Sequence, residues 1–248
     1  MTKRLLDRQS RLIRYLTSGG AIFDDAEHLP ADPVLRGIDR RLLGIEARFS
    51  FEKRMEKIAA VFPLTFDLLG ASRETLIRKF VESCPPYDIG RLENARQFHE
   101  FLSAHWRSES PVPRHLPDVA ALELAFATVR VFAGDRAPGE EEPSARVRTT
   151  RASVRRSPAV VLLRTAHDIR PLFENAAERG DPVARDVLLA IVAHASVNAP
   201  EIFELAPAVF ELLGSLDDWV DQAAFEEWED ARRMVADLAN AGLVEVRR

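Results

Sequence analysis

A short polar segment divides this chain into two stretches of different character. Residues 134–143 read Gly-Asp-Arg-Ala-Pro-Gly-Glu-Glu-Glu-Pro and contain no large apolar side chain. Such a segment cannot contribute much to a core, and its prolines and glycines interrupt helices and strands. It predicts a linker over residues 134–144 between a first domain, residues 1–133, and a second domain, residues 145–248.

Apolar residues in the first domain recur at helical spacing. The longest such stretch is Val34–Val61, and Pro63 and Gly70 bracket a short helix after it, because proline is tolerated in a first helical turn and glycine ends helices. Similar patterns run over Leu92–Trp106 and Leu116–Phe132. The first domain is therefore predicted to consist of five or six packed helices.

The second domain has β-forming residues as well. Val160–Leu163 and Val187–Val192 are apolar runs of strand length that contain β-branched residues. Two helices are predicted over Pro200–Gly214 and Phe225–Ala241, and Leu243–Val246 resembles a closing strand. The second domain is thus predicted as a small winged-helix-like module with a small sheet, and the whole chain as an α+β fold that is mostly α.

Charge and composition exclude several classes of protein. The 34 Lys and Arg against 39 Asp and Glu give a net charge of −5, which argues against binding nucleic acid by bulk charge. The single cysteine, Cys84, cannot form a disulfide within the chain and suits a reducing compartment. No apolar run has the length of a signal peptide core or a membrane span. We therefore expect a cytoplasmic protein that does not associate with a membrane.

Catalytic patterns are missing from the sequence. It contains no G-x-S-x-G, no P-loop and no G-x-G-x-x-G. His99 and His105 are six positions apart, which places them on different faces of a helix, and no histidine adjoins Cys84 to activate it. We therefore expect this chain not to be an enzyme, with no catalytic residue, metal ligand or cofactor of its own.

Two charged clusters each have two readings. The basic strip is either a solvated strand edge that blocks aggregation or a contact for nucleic acid or an acidic peptide. It comprises Arg146, Arg148, Arg151, Arg155, Arg156 and Arg164. The acidic cluster is either helix capping and solvation or a docking face for a basic partner. It comprises Asp217, Asp218, Asp221, Glu226, Glu227, Glu229 and Asp230.

Six segments together resemble a known bacterial family. They are Phe62–Gly70, Pro85–Arg91, Phe98–Leu102, Leu116–Glu123, Ser157–Arg164 and His167–Glu174. Their order and spacing are similar to a putative DNA-binding-domain family found beside TIM-barrel, multinuclear non-haem iron enzymes. Within that family the chain looks most like the partner subunits of peptide-modifying iron oxygenases, of the methanobactin and 3-thiaglutamate biosynthesis type.

The resemblance implies a role in the biosynthesis of ribosomally made, modified peptides (RiPPs), a class of natural products. The partner TIM-barrel enzyme would hold the iron and modify a cysteine of the precursor peptide. The present chain would be the accessory subunit of a heterodimer, and it would bind the leader of the precursor and present it to the enzyme.

A sheet edge in the second domain is the predicted peptide-binding site. An exposed edge can accept an extended peptide through main-chain hydrogen bonds. The residues expected there are Val160, Val161, Leu162, Leu163, Arg164 and Arg232. The phase of the strand stays open, so either Val161 or Leu162 faces the core.

The alternative function is a helix-turn-helix transcriptional regulator that binds DNA through its last helix. Arg232 and Arg233 in that helix favour it slightly. A DNA-reading helix needs neutral or basic side chains close to phosphates in its first turns. Four acidic residues crowd those turns here, namely Glu226, Glu227, Glu229 and Asp230. The acidic turns therefore favour peptide recognition over DNA binding.

Overall fold

The fold consists of two compact units, Met1–Ala120 and Ala121–Arg248, in a computed structural model of the chain. The residues that the structure describes are 2–24, 33–86, 90–106, 113–135, 152–174, 180–193, 199–221, 224 and 231–247. Within these ranges the chain forms ten α-helices and six β-strands. None of the described helices is both long enough and apolar enough to cross a membrane.

The first unit is helical. Its helices are α1 (Thr2–Leu16), α2 (Gly19–Phe23), α3 (Arg40–Ala59), α4 (Pro63–Leu69), α5 (Arg73–Ser83), α6 (Arg91–Trp106) and the first part of α7 (Leu116–Asp135), which continues into the second unit. Short 3-10 helices occupy Pro33–Leu35 and Gly70–Ser72. The short helix predicted between Pro63 and Gly70 is confirmed, as are those over Leu92–Trp106 and Leu116–Phe132.

Two helix boundaries differ from the prediction, and local chemistry explains both. The predicted helix Val34–Val61 is interrupted, because Gly37 adopts φ of +88°, in the left-handed region. α3 begins only after Asp39, whose carboxylate accepts the backbone N–H of Arg41 at 2.8 Å. The sequence also predicts that Gly19–Gly20 ends the first helix. That helix, α1, ends slightly earlier at Leu16, and Gly19 starts α2, which the Ser18 hydroxyl caps.

Phenylalanine rings fill the centre of the first unit. Phe98 of α6 is fully buried, and its ring centroid lies 5.5 Å from Phe62, 5.4 Å from Phe66 and 5.1 Å from Phe80. These separations are typical of favourable aromatic pairs. Helices α4, α5 and α6 are therefore joined through one side chain.

The second unit contains two antiparallel sheets. Its strands are β1 (Ser153–Arg156), β2 (Val160–Asp168), β3 (Val183–Val192), β4 (Glu201–Glu204), β5 (Val220–Asp221) and β6 (Val244–Arg247). One sheet has the order β5-β1-β6 and the other β2-β3-β4. Its further helices are α8 (Arg170–Glu174), α9 (Pro207–Ser215) and α10 (Ala231–Asn240). An α+β fold that is mostly α, with its sheets in the second half, is as predicted.

The predicted helix over Pro200–Gly214 is wrong in its first turns. Glu201–Glu204 is strand β4, which pairs with β3 so that Ile202 lies opposite Ile191. The helix starts only at Pro207, a residue suited to a first helical turn. Residues 225–230 of the other predicted helix and residues 136–151, which hold most of the predicted linker, lie outside the described part of the chain.

Strand β3 is buried on both faces. Ala190 and Val192 belong to a core that also contains Leu213 of α9 and Leu238 of α10. Leu189, like Val187 and Ile191, lies on the opposite face of the strand and is also buried. β3 also pairs with β2 along one edge and with β4 along the other, so β2 and β4 are the two outer strands of this sheet.

Candidate functional site

Strand β2 is a nine-residue edge strand. It pairs along one side with β3, from Val160 opposite Val192 to Asp168 opposite Val183, with an irregularity between Thr165 and His167. No other described strand pairs with its second side. The segment predicted to bind peptide thus lies at a sheet edge, as strand addition requires.

The sheet register identifies the backbone groups that point outward from this edge. The carbonyl of Leu188 accepts the N–H of Leu205, so the backbone of Leu188 faces away from β2. In an antiparallel ladder the direction alternates from residue to residue. Leu188 lies opposite Arg164, and Ala190 lies opposite Leu162. The N–H and C=O groups of Leu162 and Arg164 therefore point outward from the sheet.

These outward groups have no hydrogen-bond partner among the described residues. The third outward residue, Val160, donates its N–H to the carbonyl of Ser157 at 3.0 Å and closes the edge at that end. Leu162 and Arg164 therefore remain, two positions apart and separated by about 7 Å along the strand. This spacing equals that of alternate residues in an added strand. The edge can therefore pair with one short extended segment.

The structure also decides the phase of the strand. Val160 is part of the core of the second unit, and Leu162 packs against it. Val161 and Leu163 lie on the opposite face and are half-buried. Of the two residues between which the sequence left the choice open, Leu162 is the one that faces this core.

The two predicted arginines are placed differently. Arg164 is exposed, and its guanidinium donates to Asp186 on the neighbouring strand at 2.6 Å. Arg232 lies in α10, but its side chain is outside the part of the structure that is described. The site as described is therefore a backbone edge with one charged side chain that already has a partner.

A network of four charges fixes the far end of β2. Asp168 accepts Nε and Nη2 of Arg170 at 2.8 and 2.7 Å, and Nη2 of Arg185 at 2.6 Å. Arg185 also donates Nη1 to Glu204 of β4 at 2.7 Å, which Arg170 contacts at 2.7 Å. The network ties all three strands of the sheet together. Sequence reasoning missed it, although Asp168 and Arg170 lie in a segment that carries the family resemblance.

The network should make stability depend on pH. The hydrogen bonds from Arg170, followed by the one from Arg185, hold the pKa of Asp168 well below its usual range. Because the folded pKa is below that of the unfolded chain, about 3.9, the stabilisation is complete above about pH 4 and is lost as the pH falls through the folded pKa.

We expect Asp168→Asn to lower the free energy of unfolding at pH 7 by roughly 1–2 kcal/mol, since it removes charge-assisted hydrogen bonds. Urea unfolding of both proteins from pH 7 to pH 2 measures the effect, and the difference should shrink below about pH 4. Asp186→Asn, at an exposed pair, is the control and should change little. A loss that stays constant across this range would contradict the assignment.

The basic strip is paired wherever its side chains are described. Arg155 donates to Glu245 at 2.8 Å and stacks on Trp219, with its guanidinium carbon 4.5 Å from the ring centroid. Arg156 forms an ion pair with Asp217. These contacts favour the reading of the strip as a paired surface rather than a set of cations available for phosphates. Outside the described residues lie Arg146, Arg148 and Arg151.

Among the described residues, no three or more His, Cys, Asp or Glu side chains lie close enough to hold a metal ion. Burial lowers the pKa of His99 on α6, opposed by the charge of Glu100. His105 on the same helix stacks on Phe101 at 5.7 Å. The surroundings of both histidines are thus those of packed side chains. The expectation that the chain carries no cofactor stays a prediction.

No protein-family model matches the chain, and no curated protein matches its sequence.

Proposed function

We propose that this chain is a non-catalytic subunit that binds the leader of a ribosomally made precursor peptide and presents it to a TIM-barrel, iron-dependent oxygenase that modifies a cysteine. The observation that carries the proposal is the open edge of β2, where Leu162 and Arg164 direct their backbone groups outward. The family resemblance of the sequence supplies the identity of the peptide and of the enzyme partner.

Strand addition accounts for how the edge would recognise a leader. Hydrogen bonds to Leu162 and Arg164 supply affinity without regard to sequence, because every residue except proline carries both backbone groups. Selectivity comes from alternate side chains of the added strand. One set lies beside the apolar face that contains Leu162, and the other beside Val161 and Leu163.

Charge supports a peptide over a nucleic acid at this surface. Nucleic-acid binding depends on cations that replace counterions along the phosphates. Arg155, Arg156 and Arg164 instead each pair with a carboxylate of this chain.

An apolar stripe on α3 supports a role as a subunit. Leu42, Ile45 and Phe49 are spaced by three and four residues, so they share one helix face, and they are 62%, 54% and 51% exposed. Leu6 and Ile13 of α1, which contacts α3, are exposed as well. Exposed apolar residues grouped in this way are typical of a surface that another protein covers. We assign the iron enzyme to this surface.

Substitution at Arg164 tests the peptide-binding proposal. Arg164→Pro removes one outward N–H and leaves the bonds to β3 intact, since proline is tolerated where an edge strand faces solvent. Arg164→Ala is the matched control, because it also removes the ion pair with Asp186 but keeps the N–H. We expect the proline variant to weaken leader binding at least about tenfold and the alanine variant only about two- to fivefold.

Fluorescence anisotropy of a labelled leader with the full-length chain measures this effect. The leader is that of a cysteine-containing precursor of the type that the family resemblance implies. Circular dichroism confirms that both variants fold. Equal binding by the wild type and the two variants, or no binding by any of them, would count against recognition at β2.

A further inference from the structure

A cavity of about 250 Å³ lies within the first unit, well separated in sequence from the β2 edge. Its apolar wall includes Leu16, Ile22 and Val81. Its polar side includes Arg54 and Asn94. A mostly apolar cavity with a few convergent polar groups is the usual form of a small-molecule site.

Arg54 is the unusual residue of this cavity. It is only 8% exposed, and its guanidinium lies 4.4 Å from the centroid of the Phe80 ring. Its hydrogen bonds go to neutral amides, from Nε to Asn94 at 3.0 Å and from Nη2 to Gln97 at 2.7 Å. Within the described part of the chain, no carboxylate forms an ion pair with it. A buried cation is costly unless an anion compensates its charge.

The two amides are held in place by the backbone. Asn94 donates its Nδ2 to the carbonyl of Gly90 at 2.8 Å, and Gln97 donates its Nε2 to the carbonyl of Pro85 at 2.9 Å. Their oxygens are thereby turned toward Arg54. The described acceptors thus use two of the five N–H donors of the guanidinium. A preorganised arginine with further donors is suited to bidentate binding of a planar anion.

Two lysines add positive charge at the same cavity. Lys53 and Lys57 line it from α3, one position before and three positions after Arg54. Both are exposed. Burial also lowers the pKa of Arg54 to about 10, which reflects the cost of keeping this charge away from water. The lysines would attract an anion, and Arg54 would hold it inside.

We propose that this cavity binds a small carboxylate with an apolar body. The planar guanidinium fits the carboxylate, and the wall of leucine, isoleucine and valine side chains fits the apolar part. Inorganic phosphate suits the cavity less well, because it carries more charge and offers nothing apolar to the wall. The ligand is either a free acid or the terminal carboxylate of a peptide. This proposal is independent of peptide binding at β2.

The test is calorimetric titration of the full-length chain with hexanoate. We expect binding with a dissociation constant of about 1 mM or lower, a range suited to so small a ligand. Hexanamide, the uncharged analogue, and inorganic phosphate should bind at least about tenfold more weakly. A second arm compares an acetylated dipeptide ending in a leucine carboxylate with its amide, and selective binding of the acid would assign a peptide terminus.

Variants place the effect in the cavity. Lys53→Gln and Lys57→Gln should each weaken hexanoate binding about two- to fivefold, whereas Lys79→Gln, an exposed lysine of α5 that does not line the cavity, should not. Arg54→Met should weaken it at least about tenfold. If Arg54→Met fails to fold, the two lysine variants still decide the question.

Several results would overturn the proposal. Equal affinity for hexanoate and hexanamide would show an apolar cavity without an anion site. Tighter binding of phosphate would assign a different ligand. Asp88 lies outside the described residues, two positions after Pro86, which lines the cavity. Hexanoate binding by Asp88→Asn but not by the wild type would mean that the chain supplies its own counter-ion.

Discussion

Replacing Phe98 with alanine is expected to lower the free energy of unfolding by about 3–5 kcal/mol. The Phe98 side chain is fully buried, and its ring contacts the rings of Phe62, Phe66 and Phe80. Its removal leaves a cavity and also removes three aromatic pairs, each worth about 0.5–1.5 kcal/mol beyond its buried area. Because these pairs connect α4, α5 and α6, the helices can close the cavity only by moving together.

Urea unfolding followed by circular dichroism measures this loss. Phe49→Ala is the matched control, since Phe49 is half exposed on α3 of the same unit. It should change stability by no more than about 0.5–1 kcal/mol. Similar losses for the two variants would show that Phe98 is not at the centre of the core.

The second large effect concerns association with the proposed enzyme partner. Ile45→Asp places a charge at the middle of the α3 stripe and should weaken the 1:1 complex at least about 100-fold, because a buried, unpaired charge in an interface costs several kcal/mol. The isolated chain should fold normally, since Ile45 is exposed. Size-exclusion chromatography of the chain co-expressed with the TIM-barrel iron enzyme measures the complex.

Ala104→Asp is the control for this substitution. Ala104 is an exposed apolar residue of α6 in the same unit, and it lies outside the stripe. We expect it to leave the complex intact. Two separate monomers for the wild type, or an unchanged complex for Ile45→Asp, would contradict the assignment of the iron enzyme to this surface.

The sequence predicts helices well in the first unit because proline, glycine and capping residues mark their ends. It predicts less well which face of a helix is buried. In α3 the apolar residues Leu42, Ile45 and Phe49 have helical spacing, yet the buried side of the helix contains Leu43 and Ala47. Periodicity reveals that an apolar face exists, but only the packed neighbours determine whether the chain itself covers it.

The candidate site was predictable only in part. The apolar run Val160–Leu163 predicts a strand, but its position at a sheet edge depends on how β3 and β4 pair. Arg54 cannot be identified from local sequence either, because its partners Asn94 and Gln97 lie 40 and 43 residues away. Both features depend on contacts between distant segments, which a pattern within one segment does not report.

Hydrogen exchange at single amides of β2 tests the central claim most directly. The rate is measured by NMR on the full-length chain, with and without the bound leader peptide. Strand addition predicts that the amides of Leu162 and Arg164 become protected. The amide of Leu163, which the register directs toward β3, should stay as it is. Unchanged exchange at Leu162 and Arg164 in the presence of bound leader would contradict peptide recognition at this edge.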